Sequence, residues 1–250
     1  MKFTYEAYGD LLIQLMQKGY QFKNYYNWNE TQQTVILRHD IDNNLQKAIC
    51  MSEIENELMS CGGATYFVLV STNFYNVHSK ESRACMETII KNGGSIGLHF
   101  DESQYDIQSE EELKEYVYKE ANVLSALIGM KVDTVSMHRP SKKFLARDIK
   151  FENIINTYSY EYFKGMKYLS DSRKLWCENV DEIIEQNTYQ RLHILIHPIW
   201  YEKNKEKSLR LTLKEAILNA SLDYYDNINN NFCDLPKELT REEIENILRI

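Results

Sequence analysis

The sequence has few of the residues that interrupt regular structure. It contains only three prolines and nine glycines among its 250 residues, and no Gly/Ser-rich stretch marks a linker between domains. Internal repeats and low-complexity tracts are also absent. A chain of this length buries about 70–75% of its unfolded surface, so it needs neither a disulfide nor a structural metal to fold. We therefore expect one domain over residues 1–250.

Cysteine is scarce and unpatterned. The count is odd, and no pair has the C-x-x-C spacing of a zinc or redox site. We expect reduced thiols in a cytoplasmic protein. The five residues are Cys50, Cys61, Cys85, Cys177 and Cys233.

Excess positive charge and long apolar runs are missing as well. The net charge of −8 argues against a nucleic-acid partner, which would need clustered Lys and Arg. No apolar run approaches the ~20 residues of a membrane span. Glu6 and Asp10 interrupt the N-terminal segment where a signal peptide needs an unbroken apolar core. We expect the protein to be cytoplasmic.

Predicted strands and helices alternate along the chain. Short apolar, β-branched runs predict strands, and runs with helical spacing of apolar residues separate them. This alternation favours a parallel sheet with helical crossovers, α/β in class. The predicted strands cover residues 34–37, 64–70, 95–99, 132–137, 167–169 and 191–196.

Two nucleotide-binding signatures are absent. No G-x-G-x-x-G follows a predicted strand, and no G-x-x-x-x-G-K-[ST] occurs. Dinucleotide sites and P-loops are therefore disfavoured. With about six or seven strands, a closed or nearly closed α/β barrel fits the pattern better than a Rossmann sheet.

Ionisable residues follow the predicted strands at their carboxyl ends, where parallel α/β folds carry their active sites. Taken singly, such an Asp is more often a helix N-cap, and such a His is more often a hydrogen-bonded structural residue. Their convergence favours one functional site, because burying these charges without a function would cost several kcal/mol. The residues are Asp40, Asp42, His99, Asp101, His138, Arg139, Asp171 and His197.

The residue types then indicate a chemistry. Imidazole nitrogen and carboxylate oxygen together suit zinc or another borderline divalent ion. Three protein ligands and an open position would make the site catalytic rather than structural. A further carboxylate could accept a proton from water, and a further imidazole could protonate a leaving group. Such a set performs hydrolysis of an amide or ester.

Several segments resemble the motifs of the NodB-homology polysaccharide deacetylases, in that family's order, over about residues 34–200. The resemblance is closest to a branch found among surface-polysaccharide biosynthesis proteins, with a His-Asp-x-Asp form of the first motif. The segments are 37–42 (LRHDID), 63–69 (GATYFVL), 92–99 (NGGSIGLH), 137–140 (MHRP), 171–176 (DSRKLW) and 195–198 (LIHP).

The resemblance implies a distorted (β/α) barrel of about seven parallel strands and a divalent metal ion, zinc first, with cobalt, manganese or nickel as alternatives. It also implies roles for individual residues. These are Asp40 as general base, Asp42 and His99 as metal ligands, His197 as general acid, Arg139 orienting the base, Asp171 supporting His197, and Trp176 walling the pocket. Trp200, close after His197, could stack on a sugar face.

The sequence departs from the family pattern in two places. Ile41 separates two aspartates that are usually adjacent, so that in a strand both would lie on one face. Ser103 stands where a second metal-binding histidine is normal, four residues after His99. A third ligand must come from elsewhere: His138 is the first candidate and Asp101 the second.

The expected function is metal-dependent removal of an N- or O-acyl group from a carbohydrate, such as a nucleotide- or lipid-linked sugar precursor. Two alternatives stay open. One is an amidohydrolase acting on a small non-sugar amide. The other is a carbohydrate-binding protein on a degenerate barrel, without turnover, which the absent second histidine motivates. The sequence does not determine the oligomeric state.

Overall fold

The computed structural model describes residues 1–59, 63–232 and 234–248. The chain divides into two compact units, Met1–Asn204 and Lys205–Ile250. The first unit contains the whole β-sheet. The expectation of a single domain over residues 1–250 stays a prediction.

The first unit is built on one all-parallel, eight-stranded sheet. Seven strands follow in the order β6-β5-β4-β3-β2-β8-β7, and β1 pairs with β2 beside this path. The strands are β1 Gln21–Phe22, β2 Thr34–Ile41, β3 Thr65–Leu69, β4 Ser95–Phe100, β5 Thr134–Met137, β6 Ile155–Asn156, β7 Lys167–Ser170 and β8 Arg191–Ile196. The predicted distorted barrel of about seven parallel strands is confirmed as a curled sheet. Over the described residues no pairing joins β6 to β7, so the barrel is open.

Helices connect the strands, as parallel pairing requires. In the first unit they are α1 Tyr5–Gln17, α2 Leu45–Leu58, α3 Lys80–Lys91, α4 Glu110–Ile128, α5 Lys142–Leu145, α6 Tyr160–Phe163 and α7 Val180–Gln186. Local sequence explains their ends. The Ser109 side chain accepts the backbone N–H of Glu112 at the start of α4, and Gly129 ends that helix with φ 69°.

Strand β2 is buried along its whole length, which accounts for its apolar first half. Alternation along the strand sends Arg38 and Asp40 to one face and His39 to the other. His39 meets the helices: its Nε2 lies 2.6 Å from Glu55 Oε1 on α2, and Tyr8 on α1 donates to the same carboxylate oxygen at 2.5 Å. The opposite face is the one that carries the candidate site.

Strand β2 is also longer than the sequence predicted. The apolar pattern ends at Leu37, but the ladder with β3 and β8 continues through the charged residues to Ile41. Tertiary pairing thus keeps Arg38 and Asp40 in extended backbone. The two-residue strands β1 and β6 were not predicted, because they are too short for a periodic pattern.

The second unit is helical over its described residues. It contains α8 Leu209–Asn229, α9 Leu235–Glu238 and α10 Arg241–Leu248. The Tyr225 hydroxyl donates to the Leu239 carbonyl oxygen at 2.9 Å, and Arg241 pairs with Asp226. These contacts hold the end of α8 against the segment that leads into α10.

The structure also bears on the cysteines and on membrane-spanning segments. Cys50, Cys85 and Cys177 are free thiols, as expected, whereas Cys61 and Cys233 lie outside the described residues. No described helix is both long enough and apolar enough to cross a bilayer.

Candidate metal centre

Three strands of the sheet, β2, β4 and β5, deliver the site at their carboxyl ends. Asp42 follows β2, His99 lies in β4, and His138 follows β5. The backbone N–H of His138 donates to the Phe100 carbonyl oxygen at 2.8 Å, so β5 stays beside β4 just past its last residue. This continuation places the His138 side chain next to that of His99.

The end of β2 is fixed by Tyr75. Its hydroxyl donates to the Ile41 carbonyl oxygen at 3.1 Å and accepts the Leu69 backbone N–H at 2.9 Å. Asn44 then caps α2 by accepting from the backbone N–H of Lys47. Asp42 is therefore held between a tethered strand end and a capped helix.

The ligand atoms of these three residues form a small triangle. Asp42 Oδ1 lies 3.3 Å from His99 Nε2 and 3.1 Å from His138 Nδ1. The two imidazole nitrogens are 3.2 Å apart. Within the described residues, this is the group of His, Cys, Asp and Glu side chains that could hold a metal ion.

The triangle fits a tetrahedral divalent cation. An ion with bonds of about 2.0–2.1 Å holds any two of its ligand atoms about 3.3–3.4 Å apart, close to the three edges observed here. Three protein ligands leave the fourth vertex of the tetrahedron open, as in catalytic zinc sites.

The second nitrogen of His99 supports the same interpretation. His99 Nδ1 lies 3.3 Å from the Ser136 carbonyl oxygen, which can only accept. If Nδ1 carries the proton, Nε2 presents a lone pair towards the Asp42 carboxylate, where two acceptors face each other. A cation between them removes this conflict, and a His N–H donating to a backbone carbonyl is the usual support of a metal ligand.

Asp42 is ionised at neutral pH. Burial by itself would raise the pKa of its carboxyl group, but in the metal-free protein, where His99 Nε2 can carry the proton, hydrogen bonds from His138 and His99 and the charge of His197 hold that pKa well below its usual range. The anionic carboxylate is the form that binds a metal.

Asp40 forms the second part of the site. Arg38 donates to both of its oxygens, from Nε at 2.9 Å and from Nη2 at 2.8 Å. The Ser136 hydroxyl donates to the same carboxylate at 3.1 Å, and Asp40 Oδ2 lies 3.7 Å from His99 Nε2. Asp40 thus borders the metal triangle without belonging to it.

The Arg38–Asp40 pair is buried, with 0% and 3% of the side chains exposed. Burial would raise the pKa of Asp40, but the Arg38 charge, followed by His99, lowers it to about 2. Arg38 is held in turn by the hydroxyl groups of Thr157 and Tyr158, each at 3.0 Å. Its guanidinium also stacks on the Tyr158 ring, 4.6 Å from the centroid.

The expected role of Arg139 in orienting Asp40 is not what the structure shows. Arg139 Nη2 instead donates to Asp101 at 2.5 Å and to the Ser103 hydroxyl at 2.9 Å, and 61% of its side chain is exposed. Arg38 occupies the position beside Asp40. Both arginines lie near the carboxyl ends of strands. Which of them contacts Asp40 is decided by the face of β2 on which Arg38 lies.

Asp101, the second candidate for the third ligand, has other partners. Its Oδ1 accepts from the backbone N–H and hydroxyl of Ser103, and its Oδ2 accepts from Gln104 and Arg139. Burial by itself would raise the pKa of Asp101, but these hydrogen bonds, of which the one from Arg139 has the largest effect, lower it to about 2. The triangle contains His138 and does not include Asp101.

His197 and Asp171 form a buried pair at the ends of β8 and β7. His197 Nδ1 lies 2.6 Å from Asp171 Oδ1, and the His197 backbone N–H donates to both Asp171 oxygens. Burial opposes protonation of the imidazole, but the Asp171 charge, its hydrogen bond and the charges of Asp42 and Asp40 raise the pKa of His197 to about 9. The imidazole is therefore protonated at neutral pH, and Nδ1 is held by Asp171.

Trp200 was expected to stack on a sugar, and the expected role of Trp176 as a pocket wall stays a prediction. Trp200 is buried, with 8% exposed, and its ring centroid lies 6.4 Å from that of His197. Trp176 is half-buried. Trp200 therefore offers little surface on which a sugar could stack. It is connected to the site through its contact with His197.

Arg38 and Ser136 were missed by the sequence reasoning. One signal was available for Arg38: it stands two residues before Asp40 on the same strand, so both side chains leave one face. Ser136 carried no comparable signal, because its contact with Asp40 joins residues 96 positions apart.

Comparisons with known proteins complete the description. No protein-family model matches the chain, and no curated protein matches its sequence. Among solved structures, the Streptococcus pyogenes deacetylase PplD in complex with acetate is similar at 13% identity and a TM-score of 0.43, over 79% of this chain and 83% of that one. A mutant of the peptidoglycan deacetylase PdaC from Bacillus subtilis is similar at 13% identity and a TM-score of 0.43, over 81% and 96%.

Two of the neighbours are deacetylases. Another is a mutant of a CE4 family pseudoenzyme with restored enzymatic activity, similar at 14% identity and a TM-score of 0.42, over 82% of this chain and 66% of that one. Likenesses this distant assign no activity to the chain. Its function has to be argued from its own site.

Proposed function

We propose that the protein is a metal-dependent hydrolase that removes an N- or O-acyl group from a carbohydrate. The observation that carries the proposal is the triangle of Asp42, His99 and His138, flanked by the ionised Asp40 and by His197 paired with Asp171. A bound divalent ion would supply Lewis acidity at the open vertex, polarising an acyl carbonyl group and acidifying water.

The protein's own groups supply the proton transfers. Asp40 is the carboxylate beside the triangle, 3.7 Å from His99 Nε2, and it would take a proton from the attacking water. The water oxygen bonds to the acyl carbon and the carbon–nitrogen or carbon–oxygen bond breaks. His197, protonated and held at Nδ1, would give a proton from Nε2 to the leaving nitrogen or oxygen. The products are a carboxylic acid and a free amine or hydroxyl group.

The carbohydrate assignment depends on the order of the motifs. Segments 37–42, 92–99, 137–140, 171–176 and 195–198 resemble the deacetylase motifs and supply the three proposed ligands together with Asp40, Asp171 and His197. An ionised Asp40 and a protonated His197, each held by its own buried partner near the triangle, favour turnover over simple binding. A metal-binding protein without activity would have no use for a protonated, carboxylate-backed imidazole there.

Metal titration followed by an activity assay tests the proposal. We expect wild type to bind one Zn²⁺, Co²⁺, Mn²⁺ or Ni²⁺ ion by calorimetry and to release acetate from N-acetylated or O-acetylated oligosaccharides only when loaded. Replacing Asp42, His99 or His138 with alanine should weaken binding roughly 10-fold or more, because two ligands remain. His78→Ala is the matched control, since His78 is an exposed loop histidine.

Two results would contradict the proposal. One is metal affinity that survives all three substitutions, which would place the ion elsewhere. The other is a loaded, intact protein that releases no carboxylic acid from any acylated sugar but does so from a small amide, which would favour the amidohydrolase alternative.

A further inference from the structure

Positively charged side chains lie on two segments that follow strands at the carboxyl end of the sheet, although the chain as a whole carries a net charge of −8. The segment after β5, which runs into α5, contains Arg139, Lys142 and Lys143, and the loop after β7 contains Arg173. In the described part of the chain, Lys142, Lys143 and Arg173 take part in none of the ion pairs, and Arg139 has one. These segments directly follow the candidate ligand His138 and the candidate support Asp171.

Acidic groups on the loop after β4 and on the loop after β7 are already engaged. Asp101 holds Arg139, Glu102 accepts the Ser141 backbone N–H at 2.5 Å, and Asp171 holds His197. Glu178, in the loop after β7, pairs with Lys167 at 2.5 Å. Each of these carboxylates already has a partner other than Lys142, Lys143 and Arg173.

Arg139 is fixed in place but only partly used. One nitrogen, Nη2, makes both of its hydrogen bonds, to Asp101 and Ser103. Asp101 is buried, 4% exposed, and receives three further hydrogen bonds, so the guanidinium is anchored to a rigid acceptor. Over the described residues, Nε and Nη1 have no acceptor, and most of the side chain is in solvent. This leaves a preorganised edge of N–H donors.

The anchored guanidinium belongs to the same two strand ends as two of the candidate ligands. Arg139 is the neighbour of His138 in sequence, and Asp101 stands two residues after His99 in the adjacent strand end. A substrate whose acyl group reaches the triangle would therefore present its next substituent to Arg139.

We propose that the substrate is an acylated sugar carrying a phosphate or diphosphate group, which binds to the free N–H groups of Arg139. This inference rests on the proposed function and names its substrate class. A planar guanidinium matches two phosphate oxygens at once. Lys142, Lys143 and Arg173 add the further positive charge that a group with two or more negative charges needs. A neutral glycan would gain nothing from this arrangement.

Calorimetric binding to the Zn²⁺-loaded protein tests the inference without requiring turnover. N-acetylglucosamine 1-phosphate should bind at least about tenfold more tightly than the neutral N-acetylglucosamine tetramer, and the difference should shrink as salt rises. Arg139→Gln should remove most of this preference, and Arg139→Lys, which keeps the charge and loses the planar fork, should keep part of it. Arg83→Gln, an exposed arginine on α3, is the matched control and should change nothing.

Equal affinity for the phosphorylated and neutral sugars would overturn the inference. So would a phosphate preference that Arg139→Gln leaves intact, since the phosphate would then be binding the metal ion alone. A preference for an acylated sugar with a carboxylate over the phosphorylated one would also overturn it. None of these results depends on acyl release, so they are distinguishable from failure of the proposed hydrolysis.

Two probes separate the sources of the phosphate. UDP-N-acetylglucosamine represents a nucleotide-linked sugar, and N-acetylglucosamine carried on a short polyprenyl diphosphate represents a lipid-linked one. Tighter binding of either than of the 1-phosphate, abolished by Arg139→Gln, supports the inference and identifies the carrier.

Discussion

At the scale of single residues, the Arg38–Asp40 pair is the most consequential contact of the site. Both groups lie out of contact with water, and each neutralises the other. Removing one partner of a buried ion pair leaves an uncompensated charge, whereas removing both can be nearly neutral. Stability and site geometry therefore depend on the same two side chains.

Arg38→Met should lower the free energy of unfolding by about 3–5 kcal/mol, because Asp40 is then buried without its cation. The double variant Arg38→Met/Asp40→Asn should recover a large part of that loss. Urea denaturation of the two single variants and the double variant measures both numbers. Additive losses would show that the two residues do not interact.

The pH dependence of hydrolysis should identify His197 as the acid. Its pKa is raised to about 9, so the protonated form needed to protonate a leaving group is lost as pH rises through that value. A bound cation offsets the contribution of Asp42 and moves the limb to lower pH. Asp171→Asn should shift the alkaline limb of kcat/KM down by roughly one pH unit or more.

Asp106→Asn, an exposed carboxylate on the loop after β4, is the control for that shift. It should leave the limb in place. An unchanged limb in Asp171→Asn would remove His197 from the acid role.

At the scale of elements, strand β4 depends on a residue with no side chain. A Cβ atom on Gly97 would stand 2.4 Å from the Phe67 ring and 2.7 Å from the Thr134 hydroxyl oxygen. Phe67 lies on β3, is fully buried and packs 5.6 Å from the Arg38 guanidinium carbon. The absence of a side chain at position 97 leaves the space that this ring occupies next to Arg38.

Gly97→Ala should destabilise the protein by about 1–3 kcal/mol, because Phe67 must move in a close-packed interior. Gly9→Ala is the matched control, and it should have the opposite effect on stability. Gly9 lies inside α1 with its nearest neighbour atom 3.8 Å from the added Cβ, so alanine should stabilise by about 0.5–1 kcal/mol. Thermal unfolding of both variants measures the difference, and equal effects would contradict the packing argument.

Element by element, the sequence predicted much of this framework. Strand Arg191–Ile196 has the predicted bounds, because a continuous apolar run is a local signal. The last residues of β2 were not predicted as strand. Their extended backbone is held by ladders to β3 and β8, which are distant in sequence.

At the scale of the whole molecule, stability should depend on pH through His193. This imidazole is buried in β8, with its Nε2 2.9 Å from the Tyr25 hydroxyl. Burial and the Arg38 charge lower its pKa to about 3 from 6.5. Below pH 6.5 the unfolded chain takes up a proton that the folded protein refuses, so the His193 contribution is complete above that pH and is lost as pH falls towards 3.

We therefore expect the unfolding free energy of the metal-free protein to fall between pH 6 and pH 4.5 by up to about 1.4 kcal/mol per pH unit from this residue. His193→Gln should flatten the slope, and His78→Gln should not. The raised pKa of His197 changes the unfolding free energy only above pH 6.5, outside this window. Urea midpoints across the range test the prediction, which fails if the slope of His193→Gln equals that of wild type.

The sequence by itself determined the order of strands and helices, because periodicity, caps and turn residues act over a few positions. It also determined that Asp42, His99, His138 and His197 gather at one end of the sheet, because parallel strands share a carboxyl end. Which guanidinium faces which carboxylate was decided only by tertiary structure. Arg38 reaches Asp40 and Arg139 reaches Asp101 because strand pairing determines which face of β2 carries Arg38 and how far β4 lies from β5. Those pairings join residues that are far apart along the chain.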